Sequence, residues 1–178
     1  MITRRFGTAL ILDRDTWTVG MDRVISPAHE AGFSPDGAYY CMMNNLRQHS
    51  MAVFDSSDPD PRRWKKIAFV EDPAWRESHA DPFHLVFSVD GRKVYGTLLR
   101  PEPANSSLAV VDTRDWRIVK QIDDIGPGAQ TSAVTYDGND VLTVFSGFQR
   151  YSSGILVVDA RTDEPVGFLP SAGGTMTA

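Results

Sequence analysis

Cysteine is almost missing from these 178 residues; the one present, Cys41, excludes an internal disulfide and any Cys-x-x-Cys pair. Long apolar runs are missing too, and no segment approaches the roughly 20 residues a membrane-spanning helix needs. No apolar stripe of useful length recurs at the helical period, which removes helical architectures. Basic side chains are outnumbered by acidic ones, 18 against 23, for a formal charge of −5. Arg62-Arg63-Trp64-Lys65-Lys66 is the only basic run and is expected on a solvated strand edge, so nucleic acid is excluded as a partner. The nucleophile elbow, phosphate loop and dinucleotide fingerprint are absent, which sets aside serine hydrolysis and nucleotide binding. Arg4 and Arg5 sit where a twin-arginine leader would carry them. The apolar stretch behind them runs only from Ala9 to Leu12, too short for a signal peptide, and reads as a strand.

What is there is a repeat. Four apolar runs end in aspartate: Ala9 to Asp13, Met51 to Asp55, Leu108 to Asp112 and Ile155 to Asp159. Between them lie three turns closed by Gly37, Gly91 and Gly138, each preceded by aspartate. Glycine accepts the left-handed conformation such turns need at no steric cost. The spacing, roughly 40 to 60 residues with several short Val-, Ile-, Phe- and Tyr-rich strands per copy, is that of a β-propeller blade. The prediction is an all-β fold: a β-propeller segment of about three and a half four-stranded blades in an incomplete ring. Residues 1–28 hold the last two strands of one blade, 29–72, 73–125 and 126–170 are full blades, and 171–178 begin the next. Exposed blade edges would favour self-association. The strand-ending aspartates are expected to accept from backbone amides two or three residues on. Trp17 and Trp116, each four residues after such an aspartate, read as lids over hairpins.

In a propeller the innermost strand of every blade lines the central channel. His29, before Phe33, and His84, before Phe87, both fall where the chain enters such a strand, with His79 shortly upstream of His84. Imidazoles converging from separate blades suit a copper or zinc site, whereas lone histidines are more often structural. Glu77 and Asp81 flank His79 and could orient an imidazole. His49, in a loop, is expected to be exposed, and Cys41 to be a buried strand residue. Asp55, Asp58 and Asp60 alternate like calcium ligands but lack the glycine and distal glutamate of such a loop, and read as a plain turn.

Residues 39–44, Tyr-Tyr-Cys-Met-Met-Asn, with the run ending at Asp55 resemble Tyr-Val-Thr-Asn propeller repeats. More narrowly, His-Glu-Ala-Gly-Phe-Ser-Pro-Asp-Gly (29–37), Met-Met-Asn-Asn-Leu-Arg (42–47), Val-Phe-Asp-Ser-Ser-Asp-Pro-Asp-Pro (53–61), Phe-His-Leu-Val-Phe-Ser (83–88) and Phe-Ser-Gly-Phe-Gln (145–149) are similar to the thiocyanate dehydrogenase family. The resemblance covers nearly the whole chain but about half of a family member. It implies a periplasmic, seven-bladed, multicopper propeller of the nitrous oxide reductase type, oxidising thiocyanate to cyanate and sulfur. Copper is then the cofactor, His84 and His29 its ligands with His79 a further candidate, and a small anionic sulfur compound the substrate. The family also implies Gly-Gly-His-His-Asp-Cys after the third blade; here Thr-Met-Thr-Ala follows Gly173-Gly174, the ending that CAC CAT GAC TGC, codons for His-His-Asp-Cys, would encode if read one base late. A frameshift and an inactive isolated chain are the corresponding expectations. The alternative is a non-catalytic propeller scaffold whose histidines are structural.

Overall fold

The computed structural model describes residues 2–4, 8–12, 15–24, 30–44, 49–101, 104–145 and 153–171. Asp13, His29 and residues 172–178 lie outside them. Among the described residues, fifteen strands form four antiparallel meanders. The first comprises β1 (Ile2–Arg4), β2 (Thr8–Leu12) and β3 (Val19–Val24), one strand more than the sequence pattern predicts. The second comprises β4 (Glu30–Phe33), β5 (Tyr39–Asn44), β6 (Ser50–Asp55) and β7 (Lys65–Glu71). A one-turn helix, α1 (Pro73–Glu77), leads into β8 (Asp81–Phe87), β9 (Lys93–Leu99), β10 (Ser107–Asp112) and β11 (Arg117–Ile122). The last sheet is β12 (Ala129–Val134), β13 (Asp140–Phe145), β14 (Ser153–Asp159) and β15 (Glu164–Ser171).

The first strands of successive sheets are neighbours, β4 with β8 and β8 with β12, while the fourth strands lie outermost. Ile67, Phe69, Val119, Val166 and Phe168 are accordingly exposed on those outer strands. This is an arc of propeller blades, as the repeat predicts. Side-chain alternation explains the core. In the third sheet Val94, Leu98, Ala109 and Val111 pack toward the second sheet, joining Cys41, Met43, Met51 and Val53. Their alternates Tyr95, Leu108 and Val110 pack the other way, onto Val141, Phe145, Leu156 and Val158. Both faces of this sheet are covered, which is why its strand β10 reads as an unbroken apolar run rather than an alternating one.

Two local devices recur. Each first hairpin closes with the amide of its glycine donating to the carbonyl three residues back (Gly37 to Ser34, Gly91 to Ser88, Gly138 to Thr135), and only the glycine has positive φ, 70 to 74°. These are type I turns followed by a left-handed glycine, not two-residue primed turns. The aspartate before each glycine accepts from a Ser or Thr hydroxyl at 2.6 to 2.7 Å and from a backbone amide at 3.0 to 3.1 Å. The second device is a register shift between third and fourth strands, at Ile11/Leu12, Val53/Phe54, Val110/Val111 and Val157/Val158, always just before the terminal aspartate. Asp55, Asp112 and Asp159 then accept from amides two residues on, at 2.8 to 3.0 Å, as expected.

The Asp58–Asp60 stretch is a turn held by its own neighbours. Asp60 accepts from the Arg62 amide and guanidinium, and Trp64 Nε1 donates to the Asp58 carbonyl. Trp116 is not a lid over its own hairpin: its ring meets Tyr39 of the preceding blade edge-on at 5.0 Å.

Candidate functional site

The three innermost strands are neighbours, β4 beside β8 and β8 beside β12. Counting back three residues from Phe33, Phe87 and Val134, the residues that begin each hairpin, gives Glu30, His84 and Thr131. The position matching His84 in the preceding blade is therefore Glu30, the residue after His29. His84 belongs to a bulge in β8: Pro82 pairs with Leu98 and Leu85 with Gly96, so that Phe83 and His84 together face Thr97. Bulges re-aim side chains and are over-represented beside active sites.

Two successive amides at the bulge are taken by side chains. The His84 amide donates to Oγ1 of Thr97, wholly buried in the same blade, at 3.0 Å. The Leu85 amide donates to Oε2 of Glu30, from the neighbouring blade, at 3.2 Å. That same oxygen is in direct contact with Nδ1 of the His84 ring. Glycines permit the approach. A Cβ on Gly32 would lie 3.0 Å from Leu85 Cδ1, and one on Gly96 would lie 2.7 Å from Met43 Cε. His84 and Glu30 remain partly open, with 22% and 33% of their side chains exposed.

The other described histidines, His49 and His79, lie beside Asp81 at the start of β8. His49 is not exposed, as its loop position suggested; its side chain is 14% exposed, with Nδ1 3.0 Å from Asp81 Oδ1 and 3.1 Å from the Ala80 carbonyl. Asp81 thus braces His49 rather than flanking His79 alone. Burial pushes the Asp81 carboxyl above its ordinary range, against the opposing pull of His49 and His79. His79 is exposed in the turn after α1. His49 and His79 both hold positive φ, 47 and 53°, a backbone region non-glycine residues occupy at a cost. A cavity of about 290 Å³ lined by His49, Glu71, Asp72, Arg76 and Glu77 opens beside them.

The structure therefore brings His84 to a carboxylate, places His49 and His79 around Asp81, and leaves His29 outside the described residues. An imidazole braced by a carboxylate is the donor chemistry of a histidine metal ligand. Among the described residues, no three His, Cys, Asp or Glu side chains gather as a group that could hold a metal ion. Glu30 is the residue the histidine search passed over, although counting from the hairpin phenylalanines reaches it.

No protein-family model and no curated protein matches the sequence. Among solved structures, hydrazine synthase of Kuenenia stuttgartiensis is similar at a TM-score of 0.73 and 18% identity, over 93% of this chain and 43% of that one. The dihydro-heme d1 dehydrogenase NirN is similar at 0.68 and 15%, over 98% of this chain and 35% of that one. The periplasmic gluconolactonase PpgL of Pseudomonas aeruginosa is similar at 0.65 and 17%, over 86% and 42%. The chain thus spans less than half the length of each, and at these identities the likeness shows a shared β-propeller fold.

Proposed function

We propose that this chain forms part of a copper-dependent oxidoreductase acting on a small anionic sulfur compound, thiocyanate, to give cyanate and sulfur. One observation carries the reading: His84 stands on the innermost strand of a propeller blade, displaced by a bulge and braced by a carboxylate from the next blade. Family resemblance supplies the chemistry. One of the similar structures carries a dehydrogenase name, one a synthase name and one a lactonase name, so the shared fold does not choose among activities. On this reading His84 is the first copper ligand, His29 the second and His79 a further candidate. Bound copper would accept the electron pair released as thiocyanate and water become cyanate, elemental sulfur and two protons, and an external acceptor would carry the electrons away. His84 would hold the copper, with the Glu30 carboxylate in contact with its ring. A periplasmic location and association through exposed outer blade edges belong to the same proposal.

A second reading, a non-catalytic interaction scaffold with structural histidines, is favoured by the short donor set among the described residues. Copper content separates the two. The chain is loaded with copper(II), desalted and assayed for bound metal. Stoichiometric copper lost in His84→Ala and in His29→Ala is the expected result; a stable, folded, metal-free wild type supports the scaffold.

A further inference from the structure

We infer that the fourth sheet carries a docking face for the first sheet of a second copy of this chain, so that two copies set head to tail close one ring. Successive sheets meet by one recurring pattern. Side chains four residues past the turn glycine, and four and two residues before the strand-ending aspartate, point to the following sheet. Cys41, Met51 and Val53 hold these positions in the second sheet and are buried in its packing with the third. Tyr95, Leu108 and Val110 hold them in the third and are buried against the fourth. In the fourth they are Leu142, Ile155 and Val157, again all apolar, and each is left partly open. Leu142 stands directly opposite Val157 across the ladder, so the three share one face. The outer row behaves alike. Val70 pairs with Met51, Ile122 with Leu108 and Leu169 with Ile155. Exposure along that row goes from 2% and 8% to 58%.

The turn tips follow the same rule. A Cβ on Gly91 would lie 3.5 Å from Pro35 Cδ, and one on Gly138 would lie 3.1 Å from Val89 Cγ2. Each hairpin tip therefore rests on the glycine of the next sheet's hairpin. Tyr136, at the same turn position as Pro35 and Val89, is fully exposed. The first sheet offers the complement. Trp17 has the place of Trp116 and Asp163, four residues after the strand-ending aspartate and with positive φ, 55°. Trp116 and Asp163 reach back to Tyr39 and Lys93, each two residues past a turn glycine. Trp17 is 76% exposed, and the residue at the receiving position in the fourth sheet is Asp140. An indole N–H only donates and an ionised carboxylate only accepts, so Trp17 of one copy suits Asp140 of the other. The occupant is thus argued from a junction made twice within the chain. Four sheets from each copy give eight, within the range of closed propellers. This surface is the face of the fourth sheet, not its outer edge, and it does not rest on the copper reading.

Sedimentation of the full metal-free chain at micromolar concentration is the test. The expected mass is twice 19.7 kDa. A monomer overturns the inference, and so does a ladder of longer species, because unlike surfaces that fail to close a ring build open chains. Val157→Lys puts a charge on the docking face, and Trp17→Ala removes an exposed side chain from the surface that meets it. Each is expected to weaken dimerisation at least about tenfold. Mixed together, the two variants are expected to pair more tightly than either does alone, since one of the two junctions then has both sides intact. No gain on mixing overturns the head-to-tail arrangement. Val166→Lys, on the exposed outer strand, is expected to leave the dimer unchanged. A dimer lost in Val166→Lys but kept in Val157→Lys and Trp17→Ala assigns association to the outer edges and overturns the docking face.

Discussion

Cys41, fully buried, and Asp81, half-buried, are ionisable groups with opposite prospects. The Cys41 thiol is wholly buried, and that burial drives its pKa far up, so the thiolate that attacks disulfides does not form at neutral pH. An aromatic disulfide reagent should leave the native chain unmodified and label it once urea has unfolded it; labelling of the folded protein at the unfolded rate refutes this. Asp81 carries a cost. Its carboxyl is held above the ordinary range because burial outweighs the nearby histidines. A raised acid of this kind stabilises the fold fully below its unfolded value near pH 4, and the contribution is lost as pH rises through the folded value. Asp81→Asn, which keeps an acceptor for His49, should raise the urea midpoint at pH 7 and flatten its rise toward acid; a lower midpoint contradicts the assignment. The burial of Cys41 follows from its strand, legible as a continuous apolar run. The Asp81 contacts do not: His49 lies 32 residues away and reaches Asp81 only because neighbouring blades bring their loops to one mouth. Glu30 was obscured for another reason, since His29 beside it carries the more conspicuous chemistry.

Hairpins in this chain are secured by carboxylates. In each first hairpin the hydroxyl of Ser34, Ser88 or Thr135, followed by a backbone amide, draws the pKa of Asp36, Asp90 or Asp137 below its usual value. Lowered acids stabilise above the unfolded value near pH 4, and the contribution disappears as pH falls through the folded value. The urea midpoint should therefore drop below about pH 4, and a Ser34→Ala, Ser88→Ala, Thr135→Val variant should show a smaller drop; equal profiles for the two exclude the turns as the source. The turns were legible because Asp-Gly has few structural uses and returned three times. The helix α1 was not, because five residues carry no periodicity. It is held instead by the Asp72 cap, which accepts the Ala74 amide at 2.8 Å, and by Trp75, 2% exposed, whose Nε1 donates to Gln121 at 2.9 Å. Trp75→Ala should cost about 3–5 kcal/mol in urea unfolding, and Trp75→Phe about 1 kcal/mol.

The assembled arc depends on contacts between blades that use different chemistry at the same place. Four residues after the strand-ending aspartate stands Trp116 in the third sheet and Asp163 in the fourth, both with positive φ. Trp116 meets Tyr39, two residues past the turn glycine of the second sheet. Asp163 meets Lys93, the matching position of the third sheet, with Nζ 2.8 Å from both carboxylate oxygens and the Tyr95 hydroxyl at 2.7 Å. Burial, with the Asp163 hydrogen bond behind it, drives the pKa of the Tyr95 hydroxyl far above its ordinary value. Asp163→Asn keeps the backbone conformation but leaves the Lys93 ammonium without counter-charge, and should cost about 2 kcal/mol in urea unfolding, with Lys93→Met on top restoring most of it. A cost under about 0.5 kcal/mol for the single change refutes the pairing. The pairing was illegible in the sequence because its members lie 70 residues apart and share no pattern. It also bears on how tandem copies find their order while folding. Homologous copies in one chain can dock on the wrong sibling. If the fourth sheet settled on the second instead of the third, Asp163 would confront Tyr39, a carboxylate with no ammonium, while Lys93 went unanswered. One aromatic seam and one ionic seam make the copies non-interchangeable, so each blade carries the address of the neighbour it belongs beside.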